Sequence, residues 1–124
     1  MNQMNVVIAS PPGRKRENLL TMLESIELLK SIKTVDSCQD ALTGLKPGNP
    51  VTVMIDYRNP KEELNKDVSE LILNDAVDHI VLLQSRNAPK PHFTHFSTSE
   101  VVFDDLTVGT LSSLFRNIEL NTGF

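Results

Sequence analysis

Short apolar runs alternate with amphipathic segments along most of this chain. Five runs are rich in Val, Ile and Leu and have the length of ordinary strands: NVVIAS, SIKTVDS, VTVMID, HIVLLQS and EVVFDD. The short segment QDALTGLK after the second run is typical of a helix, and apolar residues recur at helical spacing after the first, third and fifth runs. Those residues are Leu19, Met22, Leu23 and Ile26, then Leu64, Val68, Leu71 and Ile72, and then Leu111, Leu114, Phe115 and Ile118.

The segment between the fourth and fifth runs departs from this alternation. It reads RNAPKPHFTHFSTSE, with two prolines and many polar residues. Because proline lacks a backbone donor and interrupts helices, we expect a loop or at most one helical turn here. The helix that would precede the fifth strand is therefore predicted to be shortened or missing.

Strands of this kind, alternating with helices, predict an α/β domain in which a parallel sheet has helices on both faces. A length of 124 residues favours one domain spanning 1–124. An apolar fraction of 40% with 23% charged residues is typical of a protein with a packed core. The sequence contains no long apolar run and begins without the pattern of a signal peptide, so we expect no membrane span and a cytoplasmic location.

Charge and cysteine content narrow the classes of partner and ligand. The net charge of −4 has the wrong sign for a protein that holds nucleic acid by neutralising phosphates, so no nucleic-acid partner is predicted. The single cysteine, Cys38, excludes an internal disulfide and a cysteine-based zinc site. His92 and His95 lack supporting carboxylates or cysteines nearby in the sequence, so no metal site and no cofactor are predicted.

The run VTVMIDYRNP ends its apolar part on a carboxylate, Asp56, which is followed by a proline four residues later. In open parallel sheets the ligand crevice lies beyond the carboxyl ends of the strands, so the residues at the carboxyl ends of the runs are candidate site residues. They are Ala9 and Ser10 after the first run, Asp56 at the end of the third, Gln84 and Ser85 at the fourth, and Asp104 and Asp105 at the fifth.

With these features the chain resembles the receiver domain of two-component response regulators, from Asn5 to about Ile118. The most specific element is the apolar third strand that ends on Asp56. The resemblance implies a flavodoxin-like (CheY-like) three-layer α/β/α sandwich with a five-stranded parallel sheet in the order 2-1-3-4-5. It also implies that Asp56 stands at the phospho-acceptor position, in a pocket with Ala9, Ser10, Ser85 and Asp104.

The same resemblance implies that the phosphorylation chemistry is lost. Ala9 and Ser10 stand where receivers carry the acidic pair that holds Mg²⁺, and Asp104 stands where they carry a lysine. The hydroxyl position is retained at Ser85, unless a slip of one residue places Gln84 there. We therefore expect a degenerate receiver, or pseudo-receiver, that is not an enzyme and binds protein partners in signalling.

The alternative is an atypical receiver in which Asp56 accepts phosphate, with Mg²⁺, from a histidine-kinase partner. A flavodoxin-like enzyme or a nucleotide-binding protein is disfavoured, because SPPGRKRE lacks the glycine spacing of a phosphate-binding loop. Asp56 can also be a structural acceptor of loop hydrogen bonds.

Surface features have simpler interpretations beside the functional ones. Asp104 and Asp105 are expected to cap the last helix. The basic run Arg14 to Arg16 is expected to be a solvated helix face, with an acidic partner or a small anion as the less favoured reading.

The predicted interaction surface consists of Phe93, Phe96 and Val102. Shortening the fourth helix is expected to uncover apolar surface that a loop or another chain must cover. If another chain covers it, a symmetric homodimer is the first expectation.

Overall fold

The computed structural model describes residues 4–88 and 97–121. Its strands are β1 (Met4–Ala9), β2 (Leu29–Val35), β3 (Val51–Asp56), β4 (Val77–Gln84) and β5 (Thr98–Val102). Its α-helices are α1 (Arg14–Glu24), α2 (Cys38–Thr43), α3 (Glu62–Ile72) and α4 (Val108–Asn121). The predicted alternation of strands and helices is confirmed.

All strand pairings are parallel, and the five strands lie in the order β2-β1-β3-β4-β5. This is the flavodoxin-like order that the resemblance to receiver domains implies. The strand order reverses between β1 and β3, and Ala9 pairs with Ile55 where these two strands end. The carboxyl ends of β1 and β3 therefore flank the point at which open α/β sheets bind ligands.

Two apolar clusters, one on each face of the sheet, form the core. Successive residues of a strand point to opposite faces, so Met54 of β3 packs in the cluster that contains Leu23 and Phe115, from α1 and α4. Ile55 packs instead with Ala41 and Leu71, from α2 and α3. Helices therefore cover both faces, which accounts for the burial of β3 from Val51 to Ile55.

Two details near β5 bear on the sequence predictions. No helix occurs between β4 and β5 within the described residues, which form a turn over Ser85 to Ala88 and resume at residue 97. The end of EVVFDD was predicted as strand, and that is wrong for Phe103–Asp105, which form a 3₁₀ turn. The turn anchors Phe103, which is buried, while its two aspartates project to the surface.

Among the described residues, no helix combines the length and the apolar character that crossing a membrane requires.

Candidate functional site

The carboxylate of Asp56 lies at the end of β3 with only 10% of its side chain exposed. The guanidinium of Arg58 donates to both of its oxygens, from Nε to Oδ1 at 2.8 Å and from Nη2 to Oδ2 at 2.6 Å. The backbone N–H of Arg58 also donates to Oδ1, at 3.3 Å. Such two-point pairing is the strongest geometry that an arginine and a carboxylate can form.

Local backbone structure explains why Arg58 reaches back to Asp56. Tyr57 still continues the sheet, since its N–H donates to the carbonyl of Leu83 at 2.8 Å, and its ring is buried. The chain turns at Arg58, where the aspartate side chain accepts from the amide two residues on, as in an Asx-turn. The Tyr57 hydroxyl donates to Asn65 of α3 and ties the loop to the following helix.

The ionisation of both partners follows from this geometry. Burial alone would raise the pKa of Asp56, but the hydrogen bonds and the charge of Arg58, with a smaller contribution from Ser10, outweigh it and lower that pKa. The hydrogen bond to Asp56 raises the pKa of Arg58 further above its ordinary value. The pair is therefore fully ionised at neutral pH.

The ring of Phe103 contacts two cations, Arg58 and Lys15. The guanidinium carbon of Arg58 lies 5.0 Å from the ring centroid, and Nζ of Lys15 lies 5.6 Å from it, both within the range of cation–π attraction. Lys15 also pairs with Asp104 at 3.1 Å. We call Lys15, Asp56, Arg58 and Asp104, gathered around Phe103, the carboxyl-edge cluster; its formal charges sum to zero.

The structure brings the predicted pocket residues to this cluster. Ser10 donates from its hydroxyl to Oδ2 of Asp56 at 3.4 Å, and Ser85 donates to the carbonyl of Arg58 at 3.5 Å. Ala9 is buried beside them at the end of β1. The side-chain amide nitrogen of Gln84 is buried without a hydrogen-bond partner among the described residues. Of the two candidates after β4, Ser85 is therefore the one whose side chain contacts the loop at Arg58.

One prediction about charged residues is wrong, and a second holds only for Arg14 and Lys15. Thr107 caps α4, since its hydroxyl accepts from the amide of Thr110 at 3.1 Å, whereas Asp104 and Asp105 form ion pairs with Lys15 and Arg86. The basic run is not wholly solvated either. Arg16 keeps only 14% of its side chain exposed, because it donates to Asp36 at 2.7 Å and to the carbonyl of Ser10 at 3.1 Å.

The predicted interaction surface is described only in part. Val102 is half-buried in β5, which lies at one edge of the sheet. Phe93 and Phe96 lie outside the described residues, as do His92 and His95.

No family model, curated protein or solved structure matches this chain significantly. The interpretation of the site therefore depends on its own geometry and on the motifs that resemble a receiver.

The residues at the carboxyl edge do not fit Mg²⁺. That ion needs several hard oxygen ligands, usually from carboxylates and phosphate. Ala9 and Ser10 contribute no carboxylate next to Asp56, and both oxygens of Asp56 already accept hydrogen bonds from Arg58. Within residues 4–88 and 97–121, no group of three or more His, Cys, Asp or Glu side chains is arranged to hold a metal ion.

Proposed function

We propose that this chain is a degenerate receiver-like module that binds other proteins in a signalling pathway and does not use Asp56 as a phosphate acceptor. The observation that carries the proposal is the two-point ion pair between Asp56 and Arg58. The strand order and the position of Asp56 at the carboxyl edge support the receiver-like architecture. The ion pair argues against phosphoryl transfer at that position.

Charge balance is the first part of the argument. A phosphoryl group carries about two negative charges near neutral pH. Its transfer depends on cations that stabilise charge on the phosphoryl oxygens. The cations of the carboxyl-edge cluster, Lys15 and Arg58, are each already paired with a carboxylate. An incoming phosphoryl group would therefore meet a neutral cluster.

Access to the nucleophile is the second part. A carboxylate oxygen attacks phosphorus through a lone pair, and both oxygens of Asp56 have lone pairs engaged by Arg58. Attack would require this pair to open and would leave a largely buried carboxylate without its counter-ion. Because Arg58 is 29% exposed, opening the pair costs about 2–3 kcal/mol, which adds to the barrier.

Binding of protein partners is the activity left to such a domain. We place that activity in the cytoplasm, on the surface that Val102 and, from the sequence, Phe93 and Phe96 contribute. A signalling protein such as a histidine kinase and a second copy of this chain are the partners that the proposal includes. The net charge of −4 does not favour nucleic acid.

The proposal is tested by treating the chain with acetyl phosphate and Mg²⁺, with a phosphorylatable receiver domain treated in parallel. Intact mass spectrometry should show no phosphate adduct on this chain and a clear adduct on the control. Beryllium fluoride, which mimics the phosphoryl group, should leave the amide resonances of Asp56 and Arg58 unchanged. A phosphate adduct that Asp56→Asn abolishes would instead establish the phospho-accepting alternative.

A further inference from the structure

A cleft of about 500 Å³ opens beside the carboxyl-edge cluster, on the face of the sheet that carries α2 and α3. It lies where β1 and β3 end and the strand order reverses, which is the usual ligand position in open α/β sheets. Its size lies within the range of ordinary small-molecule sites. Every residue that lines it belongs to the described part of the chain.

The base of the cleft is apolar. Ala9 and Ile55 contribute buried surface from the ends of β1 and β3, and Cys38 contributes buried surface from the start of α2. Leu64 of α3 adds a half-buried side chain. An apolar body with the dimensions of one ring is the kind of group that gains from burial on such a base.

The rim of the cleft is polar and predominantly acidic. Its lining contains four carboxylates and two cations, so its formal charge is −2: Asp36, Asp56, Glu63 and Asp67 against Arg58 and Lys61. Gln39 of α2 donates to Oδ1 of Asp67 at 2.9 Å, which joins the two helices at the side of the cleft and orients one carboxylate. Arg58 is paired with Asp56, and Asp36 is paired with Arg16 from outside the lining, so two rim carboxylates remain against one cation: Glu63 and Asp67 against Lys61.

We infer that this cleft binds a small organic cation with an apolar or aromatic body. The apolar base takes the body, and the rim carboxylates of Glu63 and Asp67 attract the cationic group. An anionic or phosphorylated ligand fits poorly, because the rim repels it. The loop that enters the cleft also begins with Pro11 and Pro12, which have no backbone N–H to offer a phosphate.

A series of probes with one body and three charges tests the inference: phenethylammonium, 2-phenylethanol and 3-phenylpropionate. Binding is followed by titration of backbone amide resonances in ¹⁵N-labelled protein. Phenethylammonium should shift resonances of Ala9, Ile55 and Leu64. The neutral alcohol should bind at least about threefold more weakly, as expected for the loss of one exposed charge interaction, and 3-phenylpropionate more weakly still.

Variants separate the rim from the base. The double substitution Glu63→Gln, Asp67→Asn should reduce the preference for phenethylammonium over the alcohol to about one, since only the charge interaction is removed. Glu70→Gln, an exposed position of α3 outside the cleft, is the matched control and should keep the preference. Leu64→Ala should weaken all three probes alike. A folded amide spectrum is required of each variant.

Three results would overturn the inference. The first is an absence of shifts at the cleft with every probe. The second is binding of 3-phenylpropionate as tight as that of phenethylammonium. The third is a charge preference in the Glu63→Gln, Asp67→Asn variant equal to that of the wild type. None of these outcomes depends on whether Asp56 accepts phosphate, so the proposed function and this inference fail separately.

Discussion

Replacing Arg58 by Met removes the counter-ion of Asp56 while keeping a long side chain that can still pack against Phe103. Only 10% of the Asp56 side chain is exposed in the wild type, and the variant leaves its carboxylate with the backbone N–H of residue 58 and the Ser10 hydroxyl as its remaining donors. An ionised group in that position loses solvation without recovering it from a partner. We therefore expect the Arg58→Met variant to be clearly less stable at neutral pH.

The magnitude follows from the lost contacts. Two hydrogen bonds between charged side chains disappear, each worth about 1.5–3 kcal/mol net. Arg58 is 29% exposed, so water can replace part of this interaction in the variant. We expect the free energy of unfolding to fall by about 2–3 kcal/mol, below the sum of the two bonds. Lys15→Met is the matched control, because the Lys15 and Asp104 side chains are 48% and 61% exposed and their pair contributes less than about 1 kcal/mol.

Urea denaturation measures these differences. With a slope of about 1–3 kcal/mol per molar urea, the midpoint of Arg58→Met should fall by about 0.7–3 M, and that of Lys15→Met by much less. In a double-mutant cycle with Asp56→Asn, the coupling free energy should be about 2 kcal/mol, because removing the carboxylate makes Arg58 less important. A coupling below about 0.5 kcal/mol, or equal losses in Arg58→Met and Lys15→Met, would refute the reasoning.

The pH dependence gives an independent check. The pKa of Asp56 in the folded chain lies below its ordinary value of 3.8, so the pair stabilises the fold above that value. The contribution is lost as the pH falls through the lowered pKa. The stabilities of the wild type and Arg58→Met should therefore converge in acid. A constant difference across the titration would mean that Arg58 acts through packing instead of charge.

Three further predictions concern other parts of the molecule. His79 is 5% exposed, and burial lowers its pKa from 6.5 to about 4. Protonation of His79 therefore favours the unfolded chain, so the stability of the fold should decrease as the pH drops from 6.5 towards 4. This loss is worth about 3 kcal/mol and should be absent from the pH profile of His79→Gln; an unchanged profile would contradict it. Burial, with a smaller contribution from Asp67, raises the pKa of Cys38 to about 12. The native thiol should therefore react with Ellman's reagent only as fast as the chain opens, and rapid labelling of the native protein would refute this. Sedimentation should show a concentration-dependent dimer in the wild type that Phe93→Ser, Phe96→Ser abolishes, whereas a monomer in both would rule out this surface as a dimer contact.

The strands themselves were predictable from features that are local in sequence, whereas their order followed only from the resemblance to receiver domains. A parallel strand buried on both faces is largely apolar, and Val51 to Ile55 are all buried, with Thr52 as the one polar residue among them. The end of β5 was not predictable in the same way. Phe103 is apolar and continues the pattern that predicts a strand. The next residue, Asp104, pairs with Lys15, which is 89 residues away in sequence. No local pattern indicates a partner at that separation.

Asp56 was identified from the sequence, but its counter-ion was missed although Arg58 is only two residues away. Residues two apart on an extended strand lie on the same face, but their side chains stand roughly perpendicular to the sheet and about 6.6 Å apart, so they do not ordinarily pair. The contact exists because the chain leaves the strand at Arg58 and closes a turn onto the Asp56 carboxylate. An aspartate at the end of a strand commonly accepts from the amide two residues on. That tendency is the signal in the sequence that could have identified the pair.

An arginine tethered two residues from Asp56 changes how the carboxyl edge can respond to signals. A metal ion or a phosphoryl group stabilises one state only to the extent that it is present and binds that state more tightly. Arg58 is part of the chain, so it neutralises the Asp56 carboxylate whatever the concentration of metal ion or phosphate. A signal that acts on this edge must then compete with Arg58 or bind beside it. The cleft shares Asp56 and Arg58 with the cluster, so an organic cation held by Glu63 and Asp67 on its rim would add positive charge near the Asp56 carboxylate. The coupling free energy in the double-mutant cycle should accordingly fall when phenethylammonium is present, which links the inferred ligand to the ion pair by a measurable quantity.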